Sequence, residues 1–479
     1  MESTITPSAD ITRGIAILRA AVVLFACLGD PLAARPAMAQ TTCRVDLQIT
    51  SPLTYVNTPF DPEIDFAALI EQAGIEGVVD YDSIRVIDAA TGAVVAHALG
   101  IGFQDRDRGR VEWVIADPHQ TAFEIRFQVV AERPPRSPAA YIPQIGTGDL
   151  LRYNAAAPRP LALIYPGRLV DLNGDGRSDL AGCWNYAYRP GLPWGGVVYY
   201  PRVGDAENFE FGERTQIRFL AEDGTTPLDL SSYVYLNADF ADFDRDGLVD
   251  VVISPRHEPK LHFFQNTGNR DAAGTAVFRR AAILDRGPVE GSTDAWWPCR
   301  AVDLDGDEVL DLVLGSTFLR NRNPAGWPVE FDAAVTLDAG SNPTFLDVDG
   351  DARLDAVCLI EVPAEGAHAR RVAWRRGLAA DPPRFAPAQR LPDVDAAWCT
   401  DVAAANVVDV DGDRAGLFVQ HELQQEISFY ELQPADQGRP RFQPLGRARA
   451  VSAPLALGDQ AWPCVTDWDA DGDLDLLVG

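Results

Sequence analysis

Six times along this chain at least three aspartates crowd into a nine-residue stretch. The stretches are DLNGDGRSDL from Asp171, DFDRDGLVDV from Asp242, DLDGDEVLDL from Asp303, DVDGDARLDA from Asp347, DVDGDRAGLF from Asp409 and DWDADGDLDL from Asp467. Carboxylates this close repel one another. One such cluster would be an accident of surface composition; six form a repeat. Short apolar segments precede most of them, as at Leu169-Val170, Phe345-Leu346 and Val407-Val408. Others follow, as at Val251-Val252-Ile253, Leu312-Val313-Leu314 and Leu476-Leu477-Val478. These runs are short and rich in leucine and β-branched residues, which predicts strands. Further strands are expected at residues 196–200, 261–265 and 427–432.

The stretches start roughly 44 to 71 residues apart, and four short strands with their turns need about 40 residues. Each interval therefore has room for one propeller blade. Numbered from the first aspartate, the first stretch puts Asp171, Asn173, Asp175 and Asp179 at positions one, three, five and nine. The second puts Asp242, Asp244, Asp246 and Asp250 there, the third Asp303, Asp305, Asp307 and Asp311, and the fourth Asp347, Asp349, Asp351 and Asp355. The fifth offers Asp409, Asp411 and Asp413, with Leu417 at position nine, and the sixth Asp467, Asp469, Asp471 and Asp475. Alternation turns several oxygens to the inside of one tight loop. Glycine at position four or six allows the sharp turn: Gly174 and Gly176, Gly247, Gly306, Gly350, Gly412 and Gly472. An oxygen-only cage with three or four negative charges suits Ca²⁺, and the cation removes the repulsion. The fifth loop, short of one carboxylate, is expected to hold it least well. Position six also departs from glycine at Glu308, Ala352 and Arg414.

An EF-hand begins in the same way but needs a bidentate glutamate at position twelve, between helices. Position twelve here is Gly182, Ile253, Leu314, Cys358, Gln420 and Val478, and the flanks are strand-like. The pattern D-x-[DN]-x-D-x-x-x-D between two short strands instead resembles the FG-GAP/VCBS repeat family, calcium-loop β-propeller blades like those of integrin α-subunits and many secreted bacterial proteins. The resemblance covers residues 161–479, about two thirds of the chain. It implies a loop joining the first two strands of each blade, several bound Ca²⁺ ions, and a propeller of five blades plus the start of a sixth, incomplete at the C-terminus. The final strand is then expected at an unpaired edge of an open arc.

The rest of the chain is read as all-β as well. Phe123, Ile125, Phe127 and Val129 alternate with polar residues, as do Val111, Trp113 and Ile115. Residues 83–88 and 93–99 flank a turn at Thr91-Gly92, a hairpin signal, and one short helix fits residues 66–72. Residues 43–131 are expected to form an immunoglobulin-like β-sandwich. Residues 132–160, opening with the proline-rich ERPPRSPAA, read as a linker. Residues 1–39 have the pattern of an export signal: Arg13 and Arg19, the apolar run Ala20 to Leu28, and Ala37-Met38-Ala39 as cleavage site. A second reading places a lipid anchor at Cys27. No later segment has the ~18 apolar residues of a spanning helix. The expected location is periplasmic, secreted or cell-surface.

A net charge of -29 argues against nucleic acid and anionic membranes as partners and favours cations. After cleavage Cys43, Cys183, Cys299, Cys358, Cys399 and Cys464 remain, with no CxxC pair, and buried small hydrophobes are as good a reading as disulfides. No GxSxG, HExxH or GxxxxGK motif is found. His257 and His262 read as surface or blade-edge residues. Trp184, Tyr186, Tyr188 and Trp194 offer sugar-stacking rings, but packing between blades is the preferred reading. Trp297 and Trp462, each in a repeated Trp-Pro-Cys context, read as structural wedges. These features favour a binding, adhesion or scaffolding module for a glycan or a surface protein. The alternatives are a carbohydrate-active enzyme of polysaccharide-lyase type and the scaffold part of a larger toxin-like or surface protein.

Overall fold

A computed structural model describes residues 41–478 except 101–102, 104–106, 135–151, 162–164, 184–195, 204–208, 231–235, 256–257, 286–298, 324–328, 365–366, 395–398, 407–414, 422–425, 455–462 and 473. The signal segment, the Trp184 to Trp194 aromatics, Trp297, Trp462 and the whole acidic part of loop five lie outside the described residues. Two compact units emerge. One takes its residues from Met1–Asn154, Ala272–Gly274 and Asp459–Gly479, the other from Ala155–Asp271 and Thr275–Gly458.

The first unit holds two sheets around one core. Thr41–Gln48, Ala122–Val130, Val78–Asp88 and Val94–Val95 form one; Thr58–Phe60, Glu63–Asp65 and His97–Leu99 pair with Arg108–Ile115 in the other. The alternating residues Val45, Leu47, Phe123, Ile125, Phe127, Val111, Trp113 and Ile115 all point into a shared apolar cluster. Phe66–Gln72 is the expected helix, capped where Asp65 Oδ1 accepts from Ala68 N at 2.9 Å. The hairpin turn lies at Thr91-Gly92, with Gly92 at φ 73° donating to Asp88 O. The hairpin is shorter than expected, because His97–Leu99 leaves it to pair in the other sheet.

In the second unit five antiparallel sheets follow one another along the chain. Their first strands are Tyr165–Val170, Leu236–Ala241, Cys299–Val302, Ser341–Leu346 and Cys399–Asn406. Each pairs with the strand that follows its acidic loop: Asp179–Cys183, Asp250–Pro255, Asp311–Leu314, Asp355–Ala364 and Ala415–His421. A third and fourth strand complete each meander, and Arg218–Leu220 adds a parallel edge strand to the second. Both faces of these sheets are covered, which is why their strands read as apolar runs and not as alternation. In the second sheet Val251, Ile253 and Phe264 pack with residues of the first, while Val252 and Phe263 pack with residues of the third. Leu304, Val313, Phe345 and Ala356 join the third to the fourth, and Val357, Trp374, Leu417 and Tyr430 the fourth to the fifth.

The fifth sheet comes back to the first. Tyr165–Val170 lies beside Leu236–Ala241 and also beside Cys399–Asn406. Phe209 stacks on Phe429 with ring centroids 4.0 Å apart, Glu210 pairs with Arg449, and Leu161 N donates to Ala448 O at 2.8 Å. This differs from the expected open arc. The fifth sheet thus adjoins the first, and the sixth repeat is not among the five. Its two strands, Pro463–Thr466 and Asp475–Val478, form a separate two-stranded sheet counted with the first unit. Val465, Leu474, Leu476 and Leu477 are exposed there. Arg152–Pro160, expected as linker, is a strand alongside Arg449–Pro454.

Cys43, Cys183, Cys299 and Cys358 are free and buried in these apolar layers, and Cys464 is free and exposed. Burial pushes the Cys43 and Cys358 thiols up to about 11, so they are protonated and inert. His262 is also buried, against the expectation of an edge residue. Burial lowers its pKa, and a ring nitrogen lies 3.1 Å from Glu258 Oε2.

Candidate metal centres

The backbone of each described acidic loop turns left-handed twice, at positions four and six. The pairs are Gly174 and Gly176, Arg245 and Gly247, Gly306 and Glu308, Gly350 and Ala352, and Ala470 and Gly472. Glycine takes one or both places; the other residues each accept a strain of about 1 kcal/mol. Two such turns point backbone N–H groups inward. The position-six N–H donates to position-one Oδ2 in four loops: Gly176 to Asp171, Gly247 to Asp242, Glu308 to Asp303 and Ala352 to Asp347. The acidic side chains thus shape the loop before any ion is considered.

Position nine has a different place. Asp179, Asp250, Asp311 and Asp355 have no solvent exposure. One carboxylate oxygen accepts from the position-two N–H: Leu172 at 3.0 Å, Phe243 at 3.1 Å, Leu304 at 3.3 Å and Val348 at 3.1 Å. The other accepts from an N–H in the third strand (Asn266 at 2.8 Å) or just beyond it (Arg202 at 3.0 Å, Asn321 at 2.9 Å and Gly377 at 2.7 Å). This aspartate ties the loop to the blade. Burial, with repulsion from the acids at positions three and five adding to it, pushes its pKa up to about 7 at Asp250 and Asp311 and about 6 at Asp355. Asp179 also rises to about 7, by burial above all.

Among the described residues four loops bring three carboxylates within 4.8 Å of one another: Asp242, Asp244 and Asp246; Asp303, Asp305 and Asp311; Asp347, Asp349 and Asp351; Asp467, Asp469 and Asp475. The remaining members Asp250, Asp307, Asp355 and Asp471 stand in the same loops. Loop one has Asn173 at position three, and its Asp175 pairs with Arg177 at 2.7 Å. Burial would raise Asp175, but its bonds to Arg177 hold it below the usual carboxylate range. Three atoms test whether a cation fits. Asp242 Oδ1, Asp305 Oδ2 and Asp467 Oδ1 are buried and accept no hydrogen bond, and Asp305 Oδ2 already lies against Arg320. A buried carboxylate oxygen without a donor is costly, and a hard cation is the partner that an all-oxygen set selects.

The residues that sequence reasoning missed are the third-strand partners. Gln265 Nε2 donates to Asp244 Oδ2 at 2.6 Å, Arg320 approaches Asp305 and Asp307, and Arg376 approaches Asp349 and Asp351. No signal could have found them. The third-strand donor to position nine lies 23, 16, 10 or 22 residues beyond it in the four loops.

A pH dependence follows for the metal-free chain. The position-nine groups rise above their ordinary 3.8, so the folded state holds their protons more tightly than the unfolded one. That contribution to stability is full below 3.8 and is lost as pH rises towards about 7. In chelator, stability is expected to fall between pH 5 and pH 8 by up to about two or three kcal/mol for each group near 7, and melting temperature by at least several degrees with it. A flat or rising profile in thermal melts would contradict the assignment.

Residues 242–314 match the FG-GAP-like repeat family. The match runs from the first residue of loop two to the end of the strand after loop three, so the chain carries an FG-GAP-like repeat there. No curated protein matches the chain. Among solved structures it is similar to the NanB sialidase from Streptococcus pneumoniae in complex with 2-[(3-chlorobenzyl)ammonio]ethanesulfonate, at 9% identity and a TM-score of 0.24. That likeness covers 92% of this chain and 62% of the sialidase, so the chain spans less than two thirds of that structure's length. At such a score it carries no argument about fold or activity.

Proposed function

We propose that this chain, with its FG-GAP-like repeat at 242–314, is an exported β-propeller protein that binds calcium in its blade loops and serves as a binding, adhesion or scaffolding module. The observation that carries the calcium part is loop two. Three carboxylates converge there, and Asp242 Oδ1 is buried with no donor. Asp242, Asp244 and Asp246 would hold the ion, with their counterparts at 303–311, 347–355 and 467–475. A bound cation supplies positive charge that cancels the repulsion among these acids. The chain's own residues do the rest: the position-six N–H orients the first carboxylate, and the position-nine aspartate anchors the loop. Export rests on the pattern of residues 1–39, and the immunoglobulin-like character of the first unit on its alternating strands. The acidic net charge suits a cationic or neutral partner such as a glycan.

The test is a screen against glycans and extracellular-matrix proteins, in about 2 mM Ca²⁺, above the Kd of about 0.1 to 1 mM of extracellular modules, and in chelator. Calcium-dependent binding without cleavage supports the reading. Binding that is equal in both buffers, or breakdown of a polysaccharide, overturns it. Retention of the chain in the cytoplasm when residues 1–39 are present overturns the export part.

A further inference from the structure

Loops three and four already contain a cation of their own. Arg320 and Arg376 occupy one structural place: each directly precedes the residue, Asn321 or Gly377, whose N–H caps the position-nine aspartate. Arg320 Nε lies 2.6 Å from Asp305 Oδ2, an ion pair without hydrogen-bond alignment, and its Nη2 donates to Asp307 Oδ2 at 3.3 Å. Arg376 Nε lies 2.9 Å from Asp349 Oδ2 and its Nη2 donates to Asp351 Oδ2 at 2.8 Å. Both guanidinium groups therefore bridge positions three and five, two of the carboxylates that a metal would need. In loop two the same place is held by Gln265, which is neutral, donates to Asp244 and accepts from Arg279 at 3.0 Å. Among the described residues Asp242, Asp244 and Asp246 pair with no arginine, so the orphaned Asp242 Oδ1 has no cation beside it, whereas the equally unbonded Asp305 Oδ2 lies against Arg320.

We propose that Arg320 and Arg376 are built-in counter-cations that compete with calcium, so that loops three and four bind it more weakly than loop two. The proposal rests on the calcium reading above. A guanidinium that bridges two carboxylates must swing out before both can turn to a metal. Its ion pairs are partly solvent-exposed, so the competition is modest, about five- to tenfold in Kd. The arrangement grades the response. Loop two fills at low calcium and stiffens the second blade. Loops three and four stay neutralised by arginine until calcium is high, so their blades keep their shape in both conditions.

The experiment is a calcium titration of the full chain against a chromophoric chelator, for the wild type, the Arg320→Gln/Arg376→Gln variant and the Arg320→Lys/Arg376→Lys variant. The wild type should show a tight and a weak class of sites. Two ions should move from the weak class to the tight one in the glutamine variant, and remain weak in the lysine variant. Thermal melts add a readout that a merely structural role would not give. The glutamine variant should melt lower than wild type in chelator and gain more from calcium. Affinities unchanged in the glutamine variant, beside clear binding by the wild type, overturn this proposal and leave the calcium reading standing. No binding by any of the three overturns the calcium reading itself.

Discussion

Chelating divalent cations is expected to lower the melting temperature of this protein by roughly 10 °C relative to about 2 mM Ca²⁺. Extracellular calcium modules bind with Kd of about 0.1 to 1 mM, so each loop gains on the order of 1 kcal/mol at that concentration. Three of the described loops that gather three carboxylates lie in the second unit, which brings its sum to about 3 kcal/mol. A transition in a unit of this size moves by about 2 to 4 °C per kcal/mol. Protease resistance should fall in parallel, with first cuts in loop two, where no arginine among the described residues offsets the repulsion among Asp242, Asp244 and Asp246. Melting temperature and digestion pattern that ignore the chelator would remove the metal reading for all loops at once. Magnesium is a useful control: it demands a smaller, more regular octahedral shell and should restore little of the loss.

The strands around the loops were legible because both faces of each blade are buried. Val251, Val252 and Ile253 pack alternately towards the first and third sheets, so their positions must all be apolar and the run announces itself. The loops were legible for the opposite reason: the side chains that shape the backbone are the charged ones, at fixed spacing. What could not be read depends on contacts distant in the chain. The return of the fifth sheet to the first rests on Phe209 against Phe429 and on Leu161 with Ala448, pairs that no local pattern links. For the same reason the sixth repeat, indistinguishable from the others by its aspartates, is counted with the first unit and not with the five blades. Glycine counting was half sufficient. It found one left-handed position in most loops, whereas both positions four and six are left-handed, and Arg245, Glu308, Ala352 and Ala470 take the second without help from a missing Cβ.

Two substitutions in loop two separate what holds the loop from what would hold the ion. Asp250→Ala is expected to cost about 3 kcal/mol even in chelator, through the backbone and not through any metal. The removed carboxylate accepts from Phe243 N, which stays buried, and from Asn266 N, which is partly buried, and both lose this acceptor. Each unpaired donor costs about 1 to 3 kcal/mol, and part of that is returned because a carboxylate pushed up to about 7 no longer has to be buried. Asp250→Asn keeps one oxygen as acceptor and should recover about half of the loss. Asp246→Ala removes a carboxylate from the same loop but from its exposed rim, where Oδ1 accepts only from the solvent-facing Leu248 N. In chelator it should be nearly neutral, since one of three crowded charges is gone, and in calcium it should forfeit the roughly 1 kcal/mol of that site. The signature is a crossing: Asp250→Ala melts low in both buffers, whereas Asp246→Ala melts low only when calcium is present. If both variants lose the same amount in both buffers, position nine has no anchoring role distinct from the rim. If Asp250→Ala is harmless in chelator, the two backbone hydrogen bonds do not hold the loop to its blade.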